Sequence, residues 1–214
     1  MPMLTGPEIA RQVLLGGVTI DPFDPARVGA NSYDLSLAPE LLVYAKNWDA
    51  HERADDRHQE RSRRPAGRLA FDSPRVPQVL DMAAEEPTVA LTIPAEGLVL
   101  WPGVLYLGAT VERAGSDHYV PCLDGRSSVG RLGMQVHCTA GYGDLGFGGR
   151  AAPSTWTLEI TTVVPLRIYA GVRVCQISFT TVEGDLKPYA GKYAGQTGPR
   201  ASGLWRDFGP KGGG

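Results

Sequence analysis

The chain has 214 residues, 43% of them hydrophobic, and carries a net charge of −2 with 27 glycines and 17 prolines. That length can bury one full core, and the near-neutral balance excludes an overall basic field for nucleic acid or an anionic membrane, so any anion site has to be local. No run reaches the roughly 18 apolar residues of a transmembrane helix, and MPMLTGPEIA lacks the regions of a signal peptide, so a cytoplasmic location is expected.

Thr5-Gly6-Pro7-Glu8 has capping-box spacing, and Ile9, Val13 and Leu14 follow at helical intervals up to Gly16-Gly17, which predicts one short amphipathic helix. VTIDPFD reads as an extended piece ended by a turn. Asn31 to Ala45 alternates like a strand with Tyr33, Leu35 and Leu37 on one side. From about 47 to 75 the composition changes to charges of both signs with little to bury, as expected of a solvated insertion. Strand-like runs follow at Thr88–Ile93, Leu98–Leu100 and Val104–Glu112, then in TLEITTVV, PLRIY and VRVCQISFTTV. In the last of these Arg173, Cys175, Ile177 and Phe179 fall on one face. Many short strands and one helix predict a barrel or sandwich in a single domain spanning 1–214. The tail, 184–214, is rich in glycine and proline but spaces Tyr189, Tyr193, Trp205 and Phe208 through it, so it is expected to dock on its own chain or on a neighbouring subunit.

Several motifs invite a chemical reading. Gly141, Gly143 and Gly146 match the dinucleotide fingerprint, but a strand pattern follows where a helix is required, so a tight loop approaching a ligand or another chain fits better. His58-Gln59-Glu60 matches half of a zinc-deaminase signature and lacks the paired cysteines. Cys122, Cys138 and Cys175 are widely spaced among apolar neighbours, as buried thiols are, and they offer no zinc spacing with the four histidines. His137 reads as a hydrogen-bonded core histidine. Gly125-Arg126-Ser127-Ser128 with Arg131 can cradle a phosphate through bidentate guanidinium contacts and hydroxyl donors, or can form an ordinary surface turn. Glu159 interrupts an apolar run and is either an outward-facing strand residue or a partly desolvated general base.

N-S-Y-D-L-S-L at 31–37, D-G-R-S-S-V-G-R-L-G at 124–133, V-H-C-T-A-G at 136–141, Asp144 with Gly146-Phe147, T-L-E at 157–159, P-L-R-I-Y-A-G at 165–171 and K-Y-A-G-Q-T-G-P at 192–199 occur in one order across most of the chain. In these pieces the sequence resembles the dCTP deaminase family, which is related to the trimeric dUTPases. The resemblance implies a distorted β-barrel of the dUTPase-like β-clip type with a short N-terminal helix. It also implies a homotrimer with active sites between subunits and a C-terminal tail folding over bound nucleotide. The implied reaction is hydrolytic deamination of the cytosine ring of dCTP without zinc, Mg²⁺ accompanying the triphosphate. Glu159 would be the general base and proton shuttle. Arg131 and Ser127 would hold water, base or phosphates, and Arg126 and Ser128 would help bind triphosphate. Ala140 and Asp144 would line the base and sugar pocket, and Lys192, Tyr193 and Gln196 would reach the triphosphate from the tail.

Three departures from the family pattern are visible, a shorter turn after Glu159 and the two that follow, and the altered loop directly before Glu159 is the one expected to bear on substrate choice. The segment between Gly149 and Glu159 is about five residues longer than the family pattern, and the 47–75 insertion is also longer. Thr139-Ala140-Gly141 is similar to the bifunctional members that carry dCTP through to dUMP. The alternative readings are a deaminase or diphosphohydrolase acting on a modified or different nucleoside triphosphate, and a nucleotide-binding regulator without turnover.

Overall fold

Thr5 starts the first element as its position predicts. In the computed structural model, which describes residues 2–48, 51–52, 79–137 and 142–209, helix α1 runs Gly6–Leu15 and the Thr5 hydroxyl accepts from the Glu8 N–H. Gly16, at φ 78°, closes it by donating to the carbonyls of Gln12 and Val13, a left-handed stop that glycine adopts without a Cβ clash. The reciprocal half of the capping box is replaced. The Glu8 carboxylate turns outward to Arg11 Nε (2.8 Å) and Nη2 (2.7 Å) and to Gln12 Nε2 (2.8 Å). The hydrogen bonds from Arg11 and then Gln12 hold its pKa down at about 2 against an ordinary 4.5. A depressed folded-state pKa stabilises the fold fully above the unfolded value and loses that contribution as pH falls through the folded one. Glu8→Gln is therefore expected to melt below the wild type at pH 7, with the gap closing between pH 4.5 and 2; a gap independent of pH would contradict this.

Eleven strands, all antiparallel, follow among the described residues: β1 (Thr19–Asp21), β2 (Tyr33–Ser36), β3 (Glu40–Tyr44), β4 (Thr88–Thr92), β5 (Leu98–Leu100), β6 (Tyr106–Gly115), β7 (Val120–Gly125), β8 (Met134–His137), β9 (Thr155–Thr162), β10 (Leu166–Ile168) and β11 (Arg173–Thr180). One sheet has the order β4-β3-β6-β9-β8, with β1 also paired to β6; β2-β11-β7 and β10-β5 form two others. The protein is mainly β, as expected, but the hydrogen bonding divides into these three sheets and no ring of strands closes among the described residues.

The single strand expected over 31–45 is two. Pro39 lacks an N–H to continue a ladder, and on either side of it β2 pairs with β11 while β3 pairs with β4 and β6. Tyr33, Leu35 and Leu37 are fully buried, in keeping with the predicted face, and meet Leu41, Leu158, Ile160, Ile177 and Phe179 in the core. In β11 the predicted alternation places Cys175, Ile177 and Phe179 inside, whereas Arg173 is exposed because the register shifts between Arg173 and Cys175. Burial raises the pKa of the nearby Cys122 thiol, with the Asp124 carboxylate adding to it. Cys138 lies outside the described residues.

Strands β7 and β8 were not legible as strands, nor was the four-residue helical turn α2 (Ser127–Gly130) between them. Because β7 belongs to the β11 sheet and β8 to the β9 sheet, this connection carries the chain from one layer to the other. Most of the charged insertion, with His58 and Glu60, lies outside the described residues. Its first residues are packed rather than solvated: Trp48 leans on the core, and His51 Nδ1 is 2.9 Å from the Tyr106 hydroxyl.

Candidate active site

Alternation along β9 decides what faces the site. Leu158 and Ile160 go fully into the core, each worth about 1.5–3 kcal/mol when removed from water, so Thr157 and Glu159 must point to the opposite face. Glu159 stands across the ladder from Leu107 of β6 and His137 of β8. Leu107, opposed to Glu159, shares its face and supplies apolar wall beside the carboxylate. Glu159 is half-buried on a cavity of about 400 Å³ whose aromatic wall comes from Tyr44, Phe147, Trp156, Tyr189 and Tyr193. Asp144, Thr157, Gln196 and Arg200 add its polar groups. Glu159 therefore lies on the face of β9 opposite the core, half-buried at the edge of this cavity.

The segment before Glu159 builds one wall. Trp156 Nε1 donates to the Ala114 carbonyl (2.8 Å) and its ring meets Phe147 edge-on at 4.8 Å. The Thr110 hydroxyl receives the Trp156 N–H (2.9 Å) at a register shift between β6 and β9. The Arg150 N–H is anchored on Asp117 (3.0 Å), and the Ser154 hydroxyl accepts from the Gly195 N–H (3.0 Å).

That last bond belongs to the roof. The tail docks on its own chain: the Tyr189 N–H donates to the Leu145 carbonyl (2.7 Å) and its ring packs on Phe147. Gln196, 4% exposed, donates through Nε2 to the Thr155 carbonyl (2.9 Å) and the Thr157 hydroxyl (3.3 Å), while its own carbonyl receives the Thr155 N–H (3.0 Å). Arg200 N–H reaches the same Thr157 hydroxyl (3.1 Å), Ser202 N–H the Tyr44 hydroxyl (3.0 Å) and Gly203 N–H the Tyr193 hydroxyl (2.8 Å). A final 3₁₀ turn, Leu204–Phe208, follows. The expected docking of the aromatic tail is thus realised within one chain.

The predicted site residues fall into groups. Glu159, Asp144, Tyr193 and Gln196 border the cavity together. Lys192 does not; it pairs with Asp207 and lines a second cavity of about 440 Å³ next door. Arg126, Ser127, Ser128 and Arg131 are on and around α2, away from both cavities. Ser127, Ser128 and Arg131 are exposed, and Arg126 Nε is 3.0 Å from Asp34, which also holds Arg173 Nη1 at 3.1 Å. Ala140 and Gly141 lie outside the described residues. Gly143 and Gly146 serve packing: a Cβ on Gly143 would strike the Trp156 ring, and one on Gly146 (φ 87°) would crowd Pro188 and the Tyr189 N–H. These glycines therefore accommodate the chain's own wall and tail. Sequence reasoning singled out the segment ending at Trp156 but missed Tyr44, Thr157 and Arg200. Only Thr157 carried a signal, as the residue two before Glu159 on the same strand face.

A family model described as dCTP deaminase-like matches residues 3–182. Over 207 residues the chain is 41% identical to a protein of Hathewaya histolytica named "dCTP deaminase, dUMP-forming", covering 96% of this chain and 99% of that one. A Leptospira biflexa protein of the same name is 42% identical, with 96% and 98% covered. Among solved structures, the deoxycytidine triphosphate deaminase of Agrobacterium tumefaciens shares the fold at a TM-score of 0.52 and 19% identity, matching 84% of this chain and about half (48%) of its own. The antiparallel layers around Glu159 are therefore those of a nucleotide-deaminase fold. The chain belongs to the dCTP deaminase-like family, and so to a family of enzymes.

Proposed function

We propose that the protein deaminates dCTP and carries the product on to dUMP and pyrophosphate. The observation that supports this most is Glu159, set among aromatic side chains in a cavity roofed by the chain's own tail; the names of the relatives supply the substrate and the second product. A single carboxylate serves as both base and acid where bound substrate and the tail together exclude bulk water.

In this reading Glu159 takes one proton from a water molecule as its oxygen bonds to C4 of the cytosine, and delivers it to N3. It then carries the hydroxyl proton to the amino nitrogen. The C4–N4 bond breaks, the C4 carbonyl forms, ammonia leaves and the carboxylate is restored. A second water then splits dUTP into dUMP and pyrophosphate. Mg²⁺ enters bound to the triphosphate as part of the substrate. Asp144 lines the base and sugar, Tyr193 closes on the phosphates from the tail, and Gln196 fixes that tail on β9, while Lys192 pairs with Asp207 beside them. Arg131 and Ser127 hold water, base or phosphates, and Arg126 and Ser128 bind triphosphate. Since α2 lies apart from the cavity of its own chain, these four residues serve the cavity of a neighbour, in a homotrimer with shared sites.

Incubation with Mg²⁺ and dCTP, following ammonia and pyrophosphate together, tests the reading. Equal amounts of the two products and no accumulated dUTP are expected. Ammonia without pyrophosphate would restrict the reaction to its first half, and release of neither would remove the proposal.

A further inference from the structure

We infer that Arg200 is a specificity-determining residue, holding the phosphate chain of the substrate where the Glu159 cavity meets the second cavity. The inference rests on the nucleotide reading above. Arg200 borders both cavities. Its backbone is fixed on the catalytic strand, because its N–H donates to the Thr157 hydroxyl (3.1 Å), two residues before Glu159 on the same face. The following residues are clamped by the Tyr44 and Tyr193 hydroxyls. The main chain at 200 is thus held in place while its guanidinium, on an exposed residue, makes no ion pair or side-chain hydrogen bond among the described residues.

The charges around it separate Arg200 from the other cations. Within this chain Arg126, which borders neither cavity, pairs with Asp34, and Lys192 pairs with Asp207. In the second cavity Lys192, Arg200 and Arg206 face Glu85 and Glu86. Glu86 is neutralised by Lys46 Nζ at 2.7 Å; this hydrogen bond, with one from the Asp81 N–H, holds its carboxyl below the usual range. Once the committed pairs cancel, Arg200 and Arg206 stand against Glu85 alone, so the cavity keeps a positive excess. The two cavities share Tyr193, Arg200, Ala201 and Ser202, so a nucleotide with its base beside Glu159 brings its phosphates towards the boundary on which Arg200 stands. A guanidinium there offers a planar fork to two phosphate oxygens. Gln196, expected to bind phosphate, instead spends its amide on Thr155 and Thr157 and so fixes the tail that presents Arg200.

The test pairs Arg200→Gln with Arg200→Lys and uses two readouts: steady-state kinetics with dCTP, and calorimetric titration with magnesium tripolyphosphate, which carries no base. In Arg200→Gln the KM for dCTP is expected to rise about 10- to 100-fold with kcat changed by less than about threefold. Tripolyphosphate binding should weaken about 10-fold or more, and Arg200→Lys should recover part of both. Tripolyphosphate affinity unaltered by Arg200→Gln, or a fall in kcat at constant KM, would overturn the inference. Failure of the wild type to release ammonia from dCTP would remove the proposed function, and the tripolyphosphate titration would still decide the role of Arg200.

Discussion

Glu159→Gln is expected to lower kcat for ammonia release from dCTP by roughly 10²- to 10⁴-fold, the range that a positioned general acid–base supplies. The amide keeps the shape of the carboxylate and removes only its proton chemistry. KM and melting temperature should therefore stay close to wild type, because Leu158 and Ile160, not Glu159, carry the burial of β9. Retained turnover would reject the assignment. A second arm tests the shared site. Arg131→Ala should also be inactive, since Arg131 is outside the cavity of its own chain. If a neighbour's Arg131 completes each site, co-refolding the two inactive variants restores activity in on the order of a quarter of the sites by random assortment. A mixture as inactive as its components would place the whole site within one chain and remove the complementation argument.

How much of this was legible beforehand follows from the range over which each signal acts. The first helix was legible because Thr5 and Gly16 act within a turn of their own position. So were β9 and β11, whose alternation survives in Leu158, Ile160, Ile177 and Phe179. Strands β7 and β8 were hidden by a motif read as loop, although Pro121 and Leu123, then Met134 and Val136, do alternate as buried residues. The break at Pro39 was present in the sequence, but a common apolar face on both sides masked it.

In the site, Glu159 was legible because a carboxylate in an apolar strand is locally anomalous. Tyr44 and Arg200 were not, because their part in the cavity exists only once the tail folds back across β9 from some 40 residues away. The roles of Lys192 and Gln196 were expected from a resemblance to proteins that bind nucleotide, whereas here Lys192 pairs with Asp207 and Gln196 with β9. Those bonds were beyond any local pattern, since each joins the tail to a partner that only the folded chain brings close.

The Glu112–Arg27 pair, also illegible at 85 residues' separation, carries the largest expected stability effect. Glu112 lies at the end of a run that reads as ordinary strand, yet its side chain is 1% exposed and meets the Arg27 guanidinium, itself 28% exposed. Its other oxygen accepts the Ser36 N–H at 2.8 Å, and Arg27 also bonds the Ser36 hydroxyl. The pair thus ties the β2 sheet to β6 where the β6–β9 register shifts. Charges taken out of water are tolerated only together. Glu112→Ala leaves a half-buried guanidinium and an orphaned N–H, a loss of about 3–5 kcal/mol. At about 2–4 °C per kcal/mol for a chain of this size, the melting temperature should fall by roughly 6–20 °C. Arg27→Ala leaves the deeper carboxylate alone and should cost at least as much. Replacing both residues with apolar ones, Arg27→Met with Glu112→Leu, should recover much of the loss, because no charge is then left stranded. Additive losses in that double variant would mean that the two residues act independently. At temperatures where Glu112→Ala is folded its KM for dCTP should match wild type, since neither residue borders either cavity.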